Sequence, residues 1–212
     1  MTLRRIVLGF AALTLVIIGS LSASANSQVP GSAEAVYWFP GTPLEGQQID
    51  GASATVLIRE DGASATFKTS GVAPGSTVTL WWVVFNNPEL CTQGTAPYRC
   101  GVPDLIAMGG DEAIGGTMVY GGGVVVGEDG TVDFRVYLPA NDDSKVALGG
   151  AGLVNTEGAE IHLVLRDHGP LIAELASEQL GTFGGGCNNM PEGTGTPGPY
   201  ACADIQFAVP VQ

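Results

Sequence analysis

Residues 77–85 form the most apolar run of the chain outside its N-terminus, and they constrain the fold more than any other segment. As a strand, this run places Thr77, Thr79, Trp81, Val83 and Phe85 on one face and Val78, Leu80, Trp82 and Val84 on the other. From Leu80 onward both faces are apolar. Such a strand has to be covered from both sides, which requires two packed layers and predicts an all-β, single β-sandwich or barrel-like domain. Trp81 and Trp82 are then expected in the core. An exposed ring stacking on a sugar or an apolar ligand is the functional alternative.

The remaining patterns agree with strands joined by turns. Residues 54–59 and 64–69 flank Glu60-Asp61-Gly62, and residues 123–126 and 131–138 flank Glu128-Asp129-Gly130, so each Asp-Gly is expected to close a hairpin. The repeated turn reads as shared hairpin chemistry rather than duplication, because the spacing to the following phenylalanine differs by one residue. In the second segment Val132, Phe134, Val136 and Leu138 alternate with Asp133, Arg135 and Tyr137, the pattern of a half-buried strand. Residues 159–166 and 203–211 read as further strands, the latter alternating Ile205, Phe207 and Val209 with Asp204, Gln206 and Ala208. Residues 171–180 form the one segment with helical spacing, so at most one short helix is expected. Glycine supplies 32 of the 212 residues, without a Gly-X-Y period, and gathers in the turns and long Gly/Pro loops. With 45% hydrophobic and 14% charged residues, a helical bundle, collagen and disorder are disfavoured.

The N-terminus carries Arg4-Arg5, an apolar run over residues 6–18, and Ala23-Ser24-Ala25, the three parts of a signal peptide cut after Ala25. The run is short of the roughly 20 residues a membrane span needs. The domain plan is a signal peptide over residues 1–25, a lead-in over 26–46 and a β-sandwich domain over 47–212. Cleavage leaves 6 basic against 21 acidic side chains, a net charge of −15, which disfavours nucleic acid and anionic lipid as partners. Four cysteines in an exported chain favour disulfides. They allow three pairings, of which the local ones, Cys91 with Cys100 and Cys187 with Cys202, are the most economical. Neither pair has the C-x2-C spacing of a zinc site. Localisation is expected to be secreted or periplasmic.

Chemistry-bearing residues are few. His162 and His168 share strand parity, but six residues at about 3.3 Å each separate them too far for one ion unless the chain folds back. His162 reads as a structural mid-strand histidine. His168 lies in Asp167-His168-Gly169-Pro170, which reads as a solvent-facing turn, and is the better candidate ligand for calcium or copper. Asp104, Asp111 and Glu112 cluster in a glycine-bearing segment and read as a solvated loop, with a glycosidase-type carboxylate pair as the alternative. Asn141-Asp142-Asp143-Ser144 offers oxygen ligands without the spaced calcium-loop pattern, so turn chemistry is expected. Neither a G-x-S-x-G elbow nor an H-E-x-x-H helix motif occurs, and no catalytic residue is assigned.

Residues 82–88 with Cys91 and Cys100, the Gly127-Glu128-Asp129-Gly130 turn, residues 160–170, and Glu178-Gln179-Leu180 leading to Cys187 and Cys202 resemble a group of exported bacterial proteins with no established activity. The order of strand, loop and His-containing strand is similar to chordin-type β domains, although their histidine and glycine pattern around the second strand has no clear copy here. The resemblance implies an all-β fold and supplies no catalytic residue. The expected function is a non-catalytic binding or structural module for an extracellular ligand or protein. The alternatives are a metal-binding protein using His168 and nearby acids, and a glycan hydrolase.

Overall fold

The computed structural model describes residues 31–210; the expected signal peptide lies outside them. Nine strands follow in chain order: β1 (Tyr37–Trp38), β2 (Ser53–Arg59), β3 (Gly62–Thr69), β4 (Ser76–Phe85), β5 (Gly116–Val125), β6 (Val132–Pro139), β7 (Val146–Leu148), β8 (Glu160–Pro170) and β9 (Ala203–Ala208). They form two antiparallel sheets, one in the order β1-β9-β8-β4-β5-β7 and the other β2-β3-β6. The fold is all-β, two-layered and stapled by two disulfides, Cys91–Cys100 and Cys187–Cys202.

β4 lies between β5 and β8, and all ten of its residues are buried. Its two faces enter different cores. Val78, Leu80, Trp82 and Val84 pack with Val56, Phe67, Phe134 and Leu138 of the three-stranded sheet and with Ile161, Leu163 and Leu165 of β8. Trp81, Val83 and Phe85 point the other way, into a cluster with Leu105, Ile114, Met118, Val164 and Phe183. No second sheet covers that outer face; loops do. Trp81 and Trp82 are 1% and 0% exposed. At roughly 1.5–3 kcal/mol for each large apolar side chain withdrawn from water, these two clusters supply the main driving force for the fold.

The first hairpin forms as expected, with Arg59 opposite Gly62. The second does not. β5 pairs with β4 and β7, while β6 pairs with β3, so the Glu128-Asp129-Gly130 turn carries the chain from one sheet to the other. Its chemistry remains that of a tight turn: Gly130 has φ +66°, and Asp129 accepts from the backbone N–H and the hydroxyl of Thr131. The partner choice follows from apolar matching, since β6 sets Phe134 opposite Phe67 and Leu138 opposite Ala63 on the buried side of the small sheet. Residues 167–170 are likewise no turn. β8 continues through Pro170, pairing with Ser76 of β4 and Ala203 of β9.

The helical segment is shorter than its spacing suggests, a 3-10 turn at Ala173–Leu175 running into α1 (Ala176–Gly181). On β9, a register shift leaves Ile205 out of the ladder, so Ile205 packs toward the inner core and Phe207 toward the outer one rather than sharing a face. β1, within the lead-in, hydrogen-bonds to β9 at the edge of the large sheet. Among the described residues no helix is long and apolar enough to cross a membrane.

α1 approaches β5 where the chain reads Gly121-Gly122-Gly123. A Cβ at Gly123 would sit 2.3 Å from the carbonyl oxygen of Leu180, whereas one at Gly122 would meet Phe134 at 3.5 Å and Val136 at 3.6 Å, both ordinary contacts. Gly123→Ala is therefore expected to lower stability by about 1–3 kcal/mol, and Gly122→Ala by less than about 1 kcal/mol. Urea midpoints of the two variants check this contrast, and equal midpoints contradict it.

Candidate functional site

The outer face of the large sheet carries the polar chemistry of the molecule. Alternation along β8 sends Glu160, His162, Val164 and Arg166 outward, opposite Phe85, Val83, Trp81 and Thr79 of β4. Two disulfide-closed loops lie over this row, one at each end.

Beneath the Cys187–Cys202 loop the surface is closed. His168 is 0% exposed, which corrects the expectation of a solvent-facing turn residue. Trp81 Nε1–H donates to Thr79 Oγ1 at 2.7 Å, the Thr79 hydroxyl donates to His168 Nε2 at 2.8 Å, and His168 Nδ1–H donates to the carbonyl of Gly185 at 2.9 Å. The assignment follows from the Gly185 carbonyl, which can only accept: Nδ1 then carries the hydrogen of the neutral ring, Nε2 accepts, and the Thr79 hydroxyl donates to it. It makes His168 a neutral, fully bonded strut. Burial, aided by the Arg166 charge and opposed by the Gly185 bond, pushes its pKa down from 6.5 to about 4. Arg166 reaches Asp204 Oδ1 at 2.7 Å, donates to the carbonyl of Phe183 at 3.0 Å and lies 4.1 Å from the Phe183 ring centre.

Beneath the Cys91–Cys100 loop the surface is open. Here a cavity of about 370 Å3 has Val83, Phe85, Met118, Phe183 and Phe207 as apolar lining, with Phe39, Leu105 and Met108 at its sides. His162 also lines it. The imidazole lies between Phe85 and Tyr98, with ring centres 5.2 and 5.9 Å away, and its Nε2 is 2.7 Å from Glu160 Oε1. Glu160 additionally accepts the backbone N–H groups of Arg99 and Cys100, both at 3.0 Å. Burial opposes ionisation of Glu160, but the bonds from His162, Cys100 and Arg99 together hold its pKa below the usual carboxylate value. The carboxylate thus ties the loop to the sheet and fixes the histidine ring. On the far side of Tyr98 a second hollow of about 430 Å3 is lined by Pro97, Arg99, Glu157 and Glu160.

Asp104, expected in a solvated loop, is 2% exposed. Its carboxylate accepts from the backbone N–H groups of Thr92, Gln93 and Gly101, so it organises the loop from inside. Asp111 accepts from Ala113 N–H at the start of the 3-10 turn Glu112–Ile114, and Asp142 accepts from Ser144 N–H in the same way.

Two groups of potential metal-ligand atoms occur among the described residues: His168 with Cys187 and Cys202, and Cys91 and Cys100 with Asp104. In each, the two sulfurs are bonded to one another and present no thiolate. His168 and His162 share no partner. The strand parity that puts both histidines on one face was readable from the sequence; what covers that face at either end was not.

The fold and site define a disulfide-stapled β-sandwich with a polar-edged apolar cavity on its loop-covered face. No family model, curated protein or solved structure matches the chain.

His168 makes stability depend on pH. With a folded pKa of about 4 and an unfolded value near 6.5, the unfolded chain binds one more proton between those limits, so this contribution is complete above pH 6.5 and is lost as pH falls toward 4. The loss amounts to roughly 3 kcal/mol. Urea midpoints measured across that interval are expected to fall more steeply in the wild type than in His168→Gln; parallel profiles contradict the assignment.

Proposed function

We propose that the protein is a non-catalytic binding module working in a secreted or periplasmic setting, and that its ligand is a small, largely apolar molecule held beneath the Cys91–Cys100 loop. The observation that carries this reading is the cavity of about 370 Å3 on the outer face of the large sheet. Its volume falls within the range of roughly 300–1,000 Å3 typical of small-molecule sites, and its mostly apolar wall with a few polar groups has the usual composition of such sites. The two closed disulfides favour an oxidising compartment. The acidic balance of the chain disfavours anionic partners.

Support for the metal reading is weaker, because the ligand sets found are occupied by disulfides and by internal hydrogen bonds. The carboxylate-pair reading loses support because both oxygens of Asp104 are committed to the loop backbone.

The neutral fluorophore N-phenyl-1-naphthylamine tests the proposal. Saturable binding at one site per chain is expected, with enhanced emission, and Val83→Phe, which fills the cavity from its floor, is expected to weaken it at least about tenfold while leaving the circular dichroism spectrum unchanged. Non-saturable binding, or binding that the filled variant retains, contradicts the assignment of the site.

A further inference from the structure

His162 is one of the few polar side chains on a mostly apolar wall, beside Gln93, Thr95 and the Arg166-paired Asp204, and its bonding specifies what it can recognise. Glu160 Oε1 lies 2.7 Å from Nε2 and belongs to a carboxylate that already accepts two backbone N–H groups. An ionised carboxylate can only accept, so Nε2 bears the hydrogen. In the neutral imidazole this leaves the lone pair on Nδ1. Nδ1 has no hydrogen-bond partner among the described residues, yet it is absent from the sealed polar atoms that lack one, Thr69 Oγ1, Thr77 Oγ1, Trp82 Nε1 and Gln206 Oε1. It is therefore an open acceptor on a ring that lines the cavity. His168 shows the opposite arrangement, with both nitrogens bonded.

We propose that the cavity selects apolar molecules bearing one O–H or N–H donor, such as hydroxylated aromatics, and that His162 Nδ1 accepts this hydrogen while Glu160 acts as a positioning residue that fixes the tautomer. This rests on the cavity being the ligand site and adds the chemical class of the occupant. The aromatic surroundings fit that class. Phe85 and Tyr98 flank the imidazole at 5.2 and 5.9 Å, and Phe207 packs edge-on to Phe39 at 5.7 Å, so a flat ring entering the cavity meets aromatic rings while its donor meets Nδ1. A ligand of the same shape without a donor covers this open acceptor and leaves it unpaired, and binding suffers accordingly.

The test compares 2-naphthol with 2-methoxynaphthalene, which keeps the ring system and lacks the donor. Both are titrated as competitors of N-phenyl-1-naphthylamine at about pH 8. The wild type is expected to bind the naphthol about tenfold more tightly than the ether. This ratio is expected to fall to about one in His162→Phe, to persist in part in His162→Asn, whose side-chain oxygen is again an acceptor, and to shrink in Glu160→Gln. A general loosening of the loop moves both affinities together and leaves the ratio intact. Equal affinities in the wild type overturn the donor selection while the cavity remains a binding site. If the fluorophore binds and neither competitor displaces it, the proposed class is wrong. If the fluorophore fails to bind as well, the cavity reading falls with it.

Discussion

A strand that is apolar on both faces has to be covered twice, and β4 sets this requirement for the whole molecule. One cover comes from the three-stranded sheet, whose inner residues meet Val78, Leu80, Trp82 and Val84. Among the described residues no third sheet covers the other side. Trp81, Val83 and Phe85 are therefore covered by connections: short 3-10 turns, α1 and the two disulfide loops. Loops have no ladder of their own, so each backbone polar group they bury has to find a partner individually. That need is met by polar side chains withdrawn from water on this face, among them Asp104, Arg166 and His168.

Those buried polar groups act as fasteners between sheet and loop. Arg166 holds the carbonyl of Phe183, His168 holds that of Gly185, Glu160 holds the amides of Arg99 and Cys100, and Asp104 holds three amides within its own loop. Each withdrawal from water is costly if left unpaired, so their full bonding matters more than their number. The disulfides add to this by limiting how far the loops can open in the unfolded chain.

Much of the frame was legible in the sequence because it obeys short periods. The parity of residues 77–85 divides the two cores as drawn, the alternation of residues 132–138 marks β6, and both cysteine pairs close locally. The second Asp-Gly turn was misleading because turn chemistry specifies a bend and not the strand that follows it into a sheet. Asp167-His168-Gly169-Pro170 has turn composition, yet pairing on both sides keeps it in β8, where Gly169 takes φ +78°. The cavity lay beyond sequence reading for a different reason. Its floor is periodic, but its cover is an aperiodic loop whose height above the sheet depends on tertiary bonds of Asp104 and Glu160.

That height explains why the two ends of the outer face differ. At the Cys187–Cys202 end the sheet offers large and polar side chains, so Trp81 fills the interval while Arg166 and His168 bond across it to the carbonyls of Phe183 and Gly185. At the Cys91–Cys100 end the loop is held at its margin by Glu160 and is stiffened internally by Asp104 and its disulfide. A loop that is rigid by its own bonds spans the sheet without having to collapse onto it. Its separation from Val83 and Phe85 is then set by the Glu160 anchor, and the same carboxylate turns His162 so that one nitrogen remains unbonded. The open cavity and the unbonded nitrogen thus meet at one anchoring residue, which belongs to the way the fold covers its central strand.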